Sequence, residues 1–226
     1  MIKQRSLEVA TICVTLLFSV DAGAQTSTTV EKHSSGYTVV ITSPTTVSRL
    51  RFPSASGIVE AFRENGRTDR VFWVLGKPEL FGQATVDTVA GGLEALATMA
   101  PTERTRLSAA SILGFHAALP GMTARLIRVY GRSRDRTVRW STLQLLAKAG
   151  DRRAALEFVR AVAARPMLEH DAPETPLMAL CILSRWGPEG RAALADLHTR
   201  RAVQDPHARE SLQRIASHGY SCESTR

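Results

Sequence analysis

DRTVRWSTLQLLAKAGDRRAAL, residues 135–156, decides how the rest of this chain is read. Asp135 stands ahead of Val138 and Arg139 where a helix opens, and its carboxylate suits an N-cap. Leu143 and Leu146 then recur at helical spacing, so they predict one buried face. Gly150-Asp151 breaks the pattern: Gly150 is expected to supply a left-handed turn residue and Asp151 to cap the next helix, which carries Ala154 and Leu156. Neither helix of such a pair can bury its apolar face alone, so further pairs are required.

Searching outward for the same period places equivalent starts at Thr102, Ala172 and Asp205, separated by 33, 37 and 33 residues. The Val138-Arg139 position becomes Thr105-Arg106, Thr175-Pro176 and Ala208-Arg209, and that of Leu146 becomes Leu113, Leu183 and Ala216. Ala109, Ala110, Leu113, Leu143 and Leu146 are therefore the expected core. Pro176 lacks an N–H, but in a first turn that donor is unpaired anyway, so the helix is expected to form there without the cationic head of an arginine. Residues 85–100 read as the second helix of a degenerate preceding unit.

The segment from Asp135 to Leu156 resembles the HEAT-like repeat of the phycobilisome-lyase type, with its acidic residue, Val-Arg opening, Ala/Leu face and Gly-Asp turn. The resemblance implies a relation of fold: a mainly α chain forming a short α-solenoid of HEAT-like helix pairs. It does not imply a lyase activity, because such repeats serve many adaptors.

Residues 1–24 read as a secretory signal peptide. Lys3 and Arg5 precede the apolar run from Val9 to Val20, which is too short for the ~20 residues of a spanning helix, and Ala22-Gly23-Ala24 is a small-residue cleavage site. The expected location is periplasmic or secreted. Residues 25–84 are rich in Ser, Thr and Val, and are expected to form a small N-terminal mixed α/β region. Tyr37–Thr42 and Val47–Phe52 read as strands, and Ser56 as the cap of a helix over 57–65 closed by Gly66. Val71–Leu75 fits either a strand or a buried helix turn. HEAT-like repeats then occupy 85–218, and 219–226 is a tail.

The net charge is +8, and the basic residues are 25 Arg against 4 Lys. Guanidinium forks suit carboxylates and phosphates, but no aromatic residues interleave with them as in a single-strand platform, so nucleic acid is not an expected partner. Catalytic motifs are absent: no HExxH, CxxC, GxSxG or glycine-rich phosphate loop occurs. Glu169-His170-Asp171 concentrates titratable groups in a Pro-rich linker and reads as a solvated loop. Of the cysteines beyond the leader, Cys181 sits in an apolar helical run and Cys222 in the tail, where export permits a disulfide without requiring one.

The expected function is that of a non-enzymatic, cofactor-free scaffold for another protein. Candidate contacts are Arg106, Arg139 and Arg209, one at the opening of each first helix that carries an arginine, with Trp140 and Trp186 as aromatic anchors. For Asp135 and Arg139, one helical turn apart, the competing reading is a cap plus a structural ladder between repeats. The alternatives to a protein partner are a polyanion or anionic membrane surface bound through the arginines, and an accessory subunit of an envelope enzyme.

Overall fold

The computed structural model describes residues 26–217, together with the backbone of 14–16. Most of the expected leader, the tail and Cys222 lie outside the described residues. Eleven helices and one antiparallel sheet are formed among those described, so the chain is mainly α. It divides between Gly92 and Leu93 into two compact units.

In the first unit, β1 (Val14–Leu16), β2 (Ser27–His33), β3 (Gly36–Thr42) and β4 (Val47–Pro53) pair in sequence order. The two expected strands are β3 and β4, whereas β2 has no strand pattern of its own. Its sequence, STTVEKH, offers one buried apolar residue, Val30, and its extended shape comes from pairing Val30 opposite Val39. Cross-strand pairing also sets Tyr37 opposite Phe52. Phe52 and Tyr37 both meet Phe81, with ring centroids 5.5 and 5.6 Å away, and Trp73 stands 6.2 Å from Phe52.

The helix α1 (Ala55–Asn65) is capped by Ser54 instead of Ser56, the Ser54 hydroxyl accepting from the Gly57 N–H at 3.2 Å. Starting the helix two residues earlier follows directly from Pro53 ending β4. Gly66 closes α1 in the left-handed region, as expected. Val71–Leu75 is helical: it lies in α2 (Asp69–Gly76), where Val71, Val74 and Leu75 share one buried face. Then follow α3 (Pro78–Phe81) and α4 (Gln83–Met99), which spans the division.

The second unit continues with α5 (Glu103–Phe115), α6 (Met122–Arg132), α7 (Arg136–Leu146), α8 (Arg152–Ala164), α9 (Thr175–Arg185), α10 (Gly187–Thr199) and α11 (Pro206–Ser217). Local caps place them. Thr102 accepts from Thr105 N–H, Asp135 from Thr137 and Val138, Asp151 from Ala154, and Asp205 from Ala208. Ala172 has no side-chain acceptor, and α9 begins three residues later with Pro176 in its first turn. Helix α5 packs on α7, α7 on α9 and α9 on α11, while α6 packs on α8 and α8 on α10. Ala109, Ala110, Leu113, Leu143, Leu146 and Leu183 are fully buried between them. Each such leucine contributes roughly 1.5–3 kcal/mol of transfer free energy.

Gly150 differs from its expected role. It is absent from the left-handed glycines of this fold, and the need for glycine is close approach. Its N–H donates to Ala117 O at 2.9 Å, and a Cβ there would lie 2.6 Å from Ala118 O.

Candidate functional site

Arg106, in α5, and Arg139, in α7, occupy the same kind of environment. The Arg106 Nη1 donates to the carbonyls of Ala100 and Pro101 at 2.6 and 3.2 Å, gathering the loop that enters its own helix. Its Nε and Nη2 donate to Oδ2 of Asp135, the N-cap of α7, at 3.0 and 2.6 Å. Arg139 repeats the arrangement: Nη1 donates to Tyr130 O and Ser133 O at 3.0 and 3.4 Å, and Nε and Nη2 to Asp171 Oδ1 at 2.9 and 2.7 Å. Arg209 likewise holds its entry loop, donating through Nε to Val203 O and through Nη2 to Gln204 O.

The second rung is closed off from water. Arg139 is 4% exposed and Asp171 2%. The Arg139 guanidinium lies 4.3 Å from the centre of the Tyr130 ring. Asp171 also accepts from Tyr130 Oη at 2.8 Å, Arg165 Nη1 at 2.7 Å and Leu168 N–H at 2.9 Å. Burial by itself would raise the Asp171 pKa, but hydrogen bonds from Arg165, Leu168, Arg139 and Tyr130 outweigh it and hold the carboxyl well below the usual range. Tyr130 is pushed up to about 12, first by burial and then by its bond to Asp171. Asp135 is lowered against the opposing effect of burial by Arg106 and by the cap N–H groups. A third carboxylate, Glu94, is lowered chiefly by its bond from Arg128, with Arg125 adding to it.

Of the two readings of these arginines, a recognition row and a structural ladder, the contacts of Arg106 and Arg139 are those of the ladder. Arg139 is taken up by internal partners, and Asp135, one turn away, holds Arg106 instead. Asp171 is likewise no solvated loop residue, since it organises the linker 165–174 from inside. Trp186 is 7% exposed and sits just past α9, its Nε1 donating to Ala147 O at 3.1 Å with Arg152 over the ring. Trp140, in α7, is half-buried, and Arg209 is exposed. Among the described residues no group of His, Cys, Asp and Glu is placed to hold a metal ion.

One open feature of the second unit lies where α10 ends and α11 begins. Leu197, Val203 and Leu212 floor a cavity of about 450 Å3, and His198, Arg201 and Arg209 stand around it. Arg201 has a φ of 50°, the left-handed value at which α10 stops. Ala202 N–H closes that turn on Leu197 O at 3.0 Å. Glycine adopts this conformation without strain, whereas a side chain there costs about 1–2 kcal/mol.

The chain matches no family model, no curated protein and no solved structure.

The ladder reading named Asp135 and Arg139 but not the partner of either, because the bonded residues lie far apart in sequence. Asp135 follows Arg106 by 29 residues and Asp171 follows Arg139 by 32. An Arg followed near the repeat length by an Asp is a visible signal, but each arginine also has an acid or a carbonyl nearer in sequence. The cavity has no linear signal beyond an arginine placed where glycine is favoured.

Proposed function

We propose that this chain is an exported, non-enzymatic scaffold, cleaved near Ala24 and acting in the periplasm or outside the cell. Its helices from about residue 85 onward are HEAT-like pairs stacked as a short α-solenoid, and its role is to hold another protein. The observation that carries this reading is the repeated rung: Arg106 to Asp135 and Arg139 to Asp171 join successive units by the same bonds. A unit joined to its neighbours in this way presents its remaining helix surface in a fixed geometry, which is what a repeat scaffold uses to bind. Exposed apolar side chains on the second unit, among them Met99 at 76% and Phe115 at 73%, add contact surface to Trp140 and Arg209.

Arginines held in the rungs are withdrawn as contacts for any anionic surface, but each takes an acid with it, so the net charge of +8 is not reduced and a protein and a polyanion are separated by experiment. The testing experiment is an affinity pull-down of the mature chain from its native envelope fraction, washed at rising salt. A single protein retained through the salt series is the expected result. Retention on heparin or anionic vesicles that fades with salt, with no protein retained, would replace this reading with the polyanion one. Export is tested separately by the N-terminal sequence of the native protein, expected at or near Gln25.

A further inference from the structure

The cavity between α10 and α11 combines an apolar floor with a cationic rim. Leu197, Val203 and Leu212 are each buried, while His198, Arg201 and Arg209 are exposed around them. No Asp or Glu is among the described residues lining it. Its volume falls among those of small ligand clefts, about 300–1,000 Å3.

A helix C-terminus ordinarily directs carbonyl oxygens, and hence negative potential, at its surroundings. Here three of them are taken. Arg200 N–H closes on Asp196 O, Arg201 N–H on His198 O and Ala202 N–H on Leu197 O, while Arg209 covers the carbonyls of Val203 and Gln204. The potential left around the cavity is set by guanidinium groups. The residue at the left-handed turn adds to it, because glycine would relax the backbone but would carry no charge into the cavity.

The molecule also shows what an arginine at this position does when an acid is available. Arg106 and Arg139 hold their entry loops and reach a carboxylate further along the chain. Arg209 also holds its entry loop, but by the opposite edge. Its Nε and Nη2, the nitrogens that grip the acid in Arg106 and Arg139, donate to the loop carbonyls, and Nη1 lies outside both bonds. Among the described residues no carboxylate lies within ion-pair distance of it.

We propose that this cavity is a docking site for an acidic side chain of a protein partner, an Asp or Glu with an aliphatic neighbour. The carboxylate is gripped by Arg201 and by the Nη1 edge of Arg209, and the aliphatic neighbour covers Leu197, Val203 and Leu212. The inference rests on the scaffold reading for the nature of the partner, while the carboxylate chemistry stands on the cavity itself.

The test uses the full chain, labelled with nitrogen-15, and three probes followed by chemical-shift titration: acetyl-Leu-Asp-Leu-amide, its Asn counterpart, and acetate. The Asp peptide is expected to bind about tenfold more tightly than the Asn peptide, with shifts at 197–213. Arg201→Gly is expected to weaken the Asp peptide by about tenfold while melting at or above the temperature of the unmodified chain, since it removes both a cation and a strained turn. Arg209→Gln weakens it similarly, but also releases two carbonyls, so Arg201→Gly is the deciding variant. Equal affinity for the Asp and Asn peptides, or full affinity in Arg201→Gly, overturns the site. Acetate binding as tightly as the Asp peptide overturns the protein partner in favour of a free carboxylate. The pull-down separates this from the scaffold reading: a protein captured equally by the unmodified chain and Arg201→Gly defeats the site alone. Selective Asp-peptide binding with no protein captured defeats the scaffold alone.

Discussion

Phe81 in the first unit and Asp171 in the second are both buried, and they gather their neighbours by different forces. Phe81 collects Tyr37 and Phe52, rings brought together from β3, β4 and α3. Asp171 collects Arg139, Arg165, the Tyr130 hydroxyl and a backbone N–H, joining α7 to the linker before α9. Aromatic clustering tolerates adjustment, because most of its stabilisation is non-directional burial of apolar area, to which ring geometry adds about 0.5–1.5 kcal/mol per pair. The ionic cluster does not, because a buried charge that loses its partner keeps its desolvation cost. Burial alone therefore does not describe how a region responds to acid, salt or substitution.

Matched substitutions would break this comparison at its strongest points. Phe81→Ala is expected to cost about 3–5 kcal/mol in urea unfolding of the first unit. Arg139→Gln takes one of two guanidinium partners from Asp171, which keeps Arg165, and is expected to cost about 1–3 kcal/mol in the second. The two are distinguished by repeating the unfolding at acid pH, where the Arg139→Gln loss shrinks and the Phe81→Ala loss persists. If partner binding by folded Arg139→Gln falls as well, Arg139 has a recognition role in addition to its rung.

Leu146→Ala tests the apolar side of the second unit. The residue is fully buried at the repeated leucine position, so the expected loss is about 2–5 kcal/mol, insensitive to pH. Gly150→Ala should cost less, about 1–3 kcal/mol, because the new methyl meets the Ala118 backbone instead of leaving a void. A neutral result there would mean that the backbone at Ala118 yields without resistance.

The pH response sharpens the contrast further. Glu94, Asp135 and Asp171, all of the second unit, are held below their usual range. A carboxylate lowered on folding stabilises the folded state above its unfolded pKa of about 4, and that contribution is lost as pH falls toward the native value. The second unit is therefore expected to lose stability on acidification below about pH 4, and Asp171→Asn should flatten that limb. Tyr130 gives the opposite sign, since its pKa is raised to about 12. Its contribution is complete below about 10 and disappears as pH rises toward 12, observable as a delayed tyrosinate absorbance step.

The smallest expected effect is at Tyr37, whose Oη lies 2.9 Å from Thr85 Oγ1 in the first unit. Tyr37→Phe keeps the ring packing and is expected to cost about 0.5–1.5 kcal/mol, read as a small shift in urea midpoint.

Much of this fold was legible because helix boundaries are local. Thr102, Asp135, Asp151 and Asp205 accept from N–H groups two or three residues on, and Gly66 closes its own helix, so the residues that decide each boundary sit beside it. The leucine spacing likewise determined which face of each helix turns inward. Packing decided what local preference left balanced. Val71–Leu75 became helix through a face buried at helical spacing, STTVEKH became strand through its pairing with β3, and Gly150 was required by the backbone of Ala117 and Ala118 across the unit. The destinations of Arg106 and Arg139 were decided in the same way. A guanidinium in water has many carboxylates and carbonyls within reach along the chain, and stacking of the helices determined which of them lay at bonding distance and out of water.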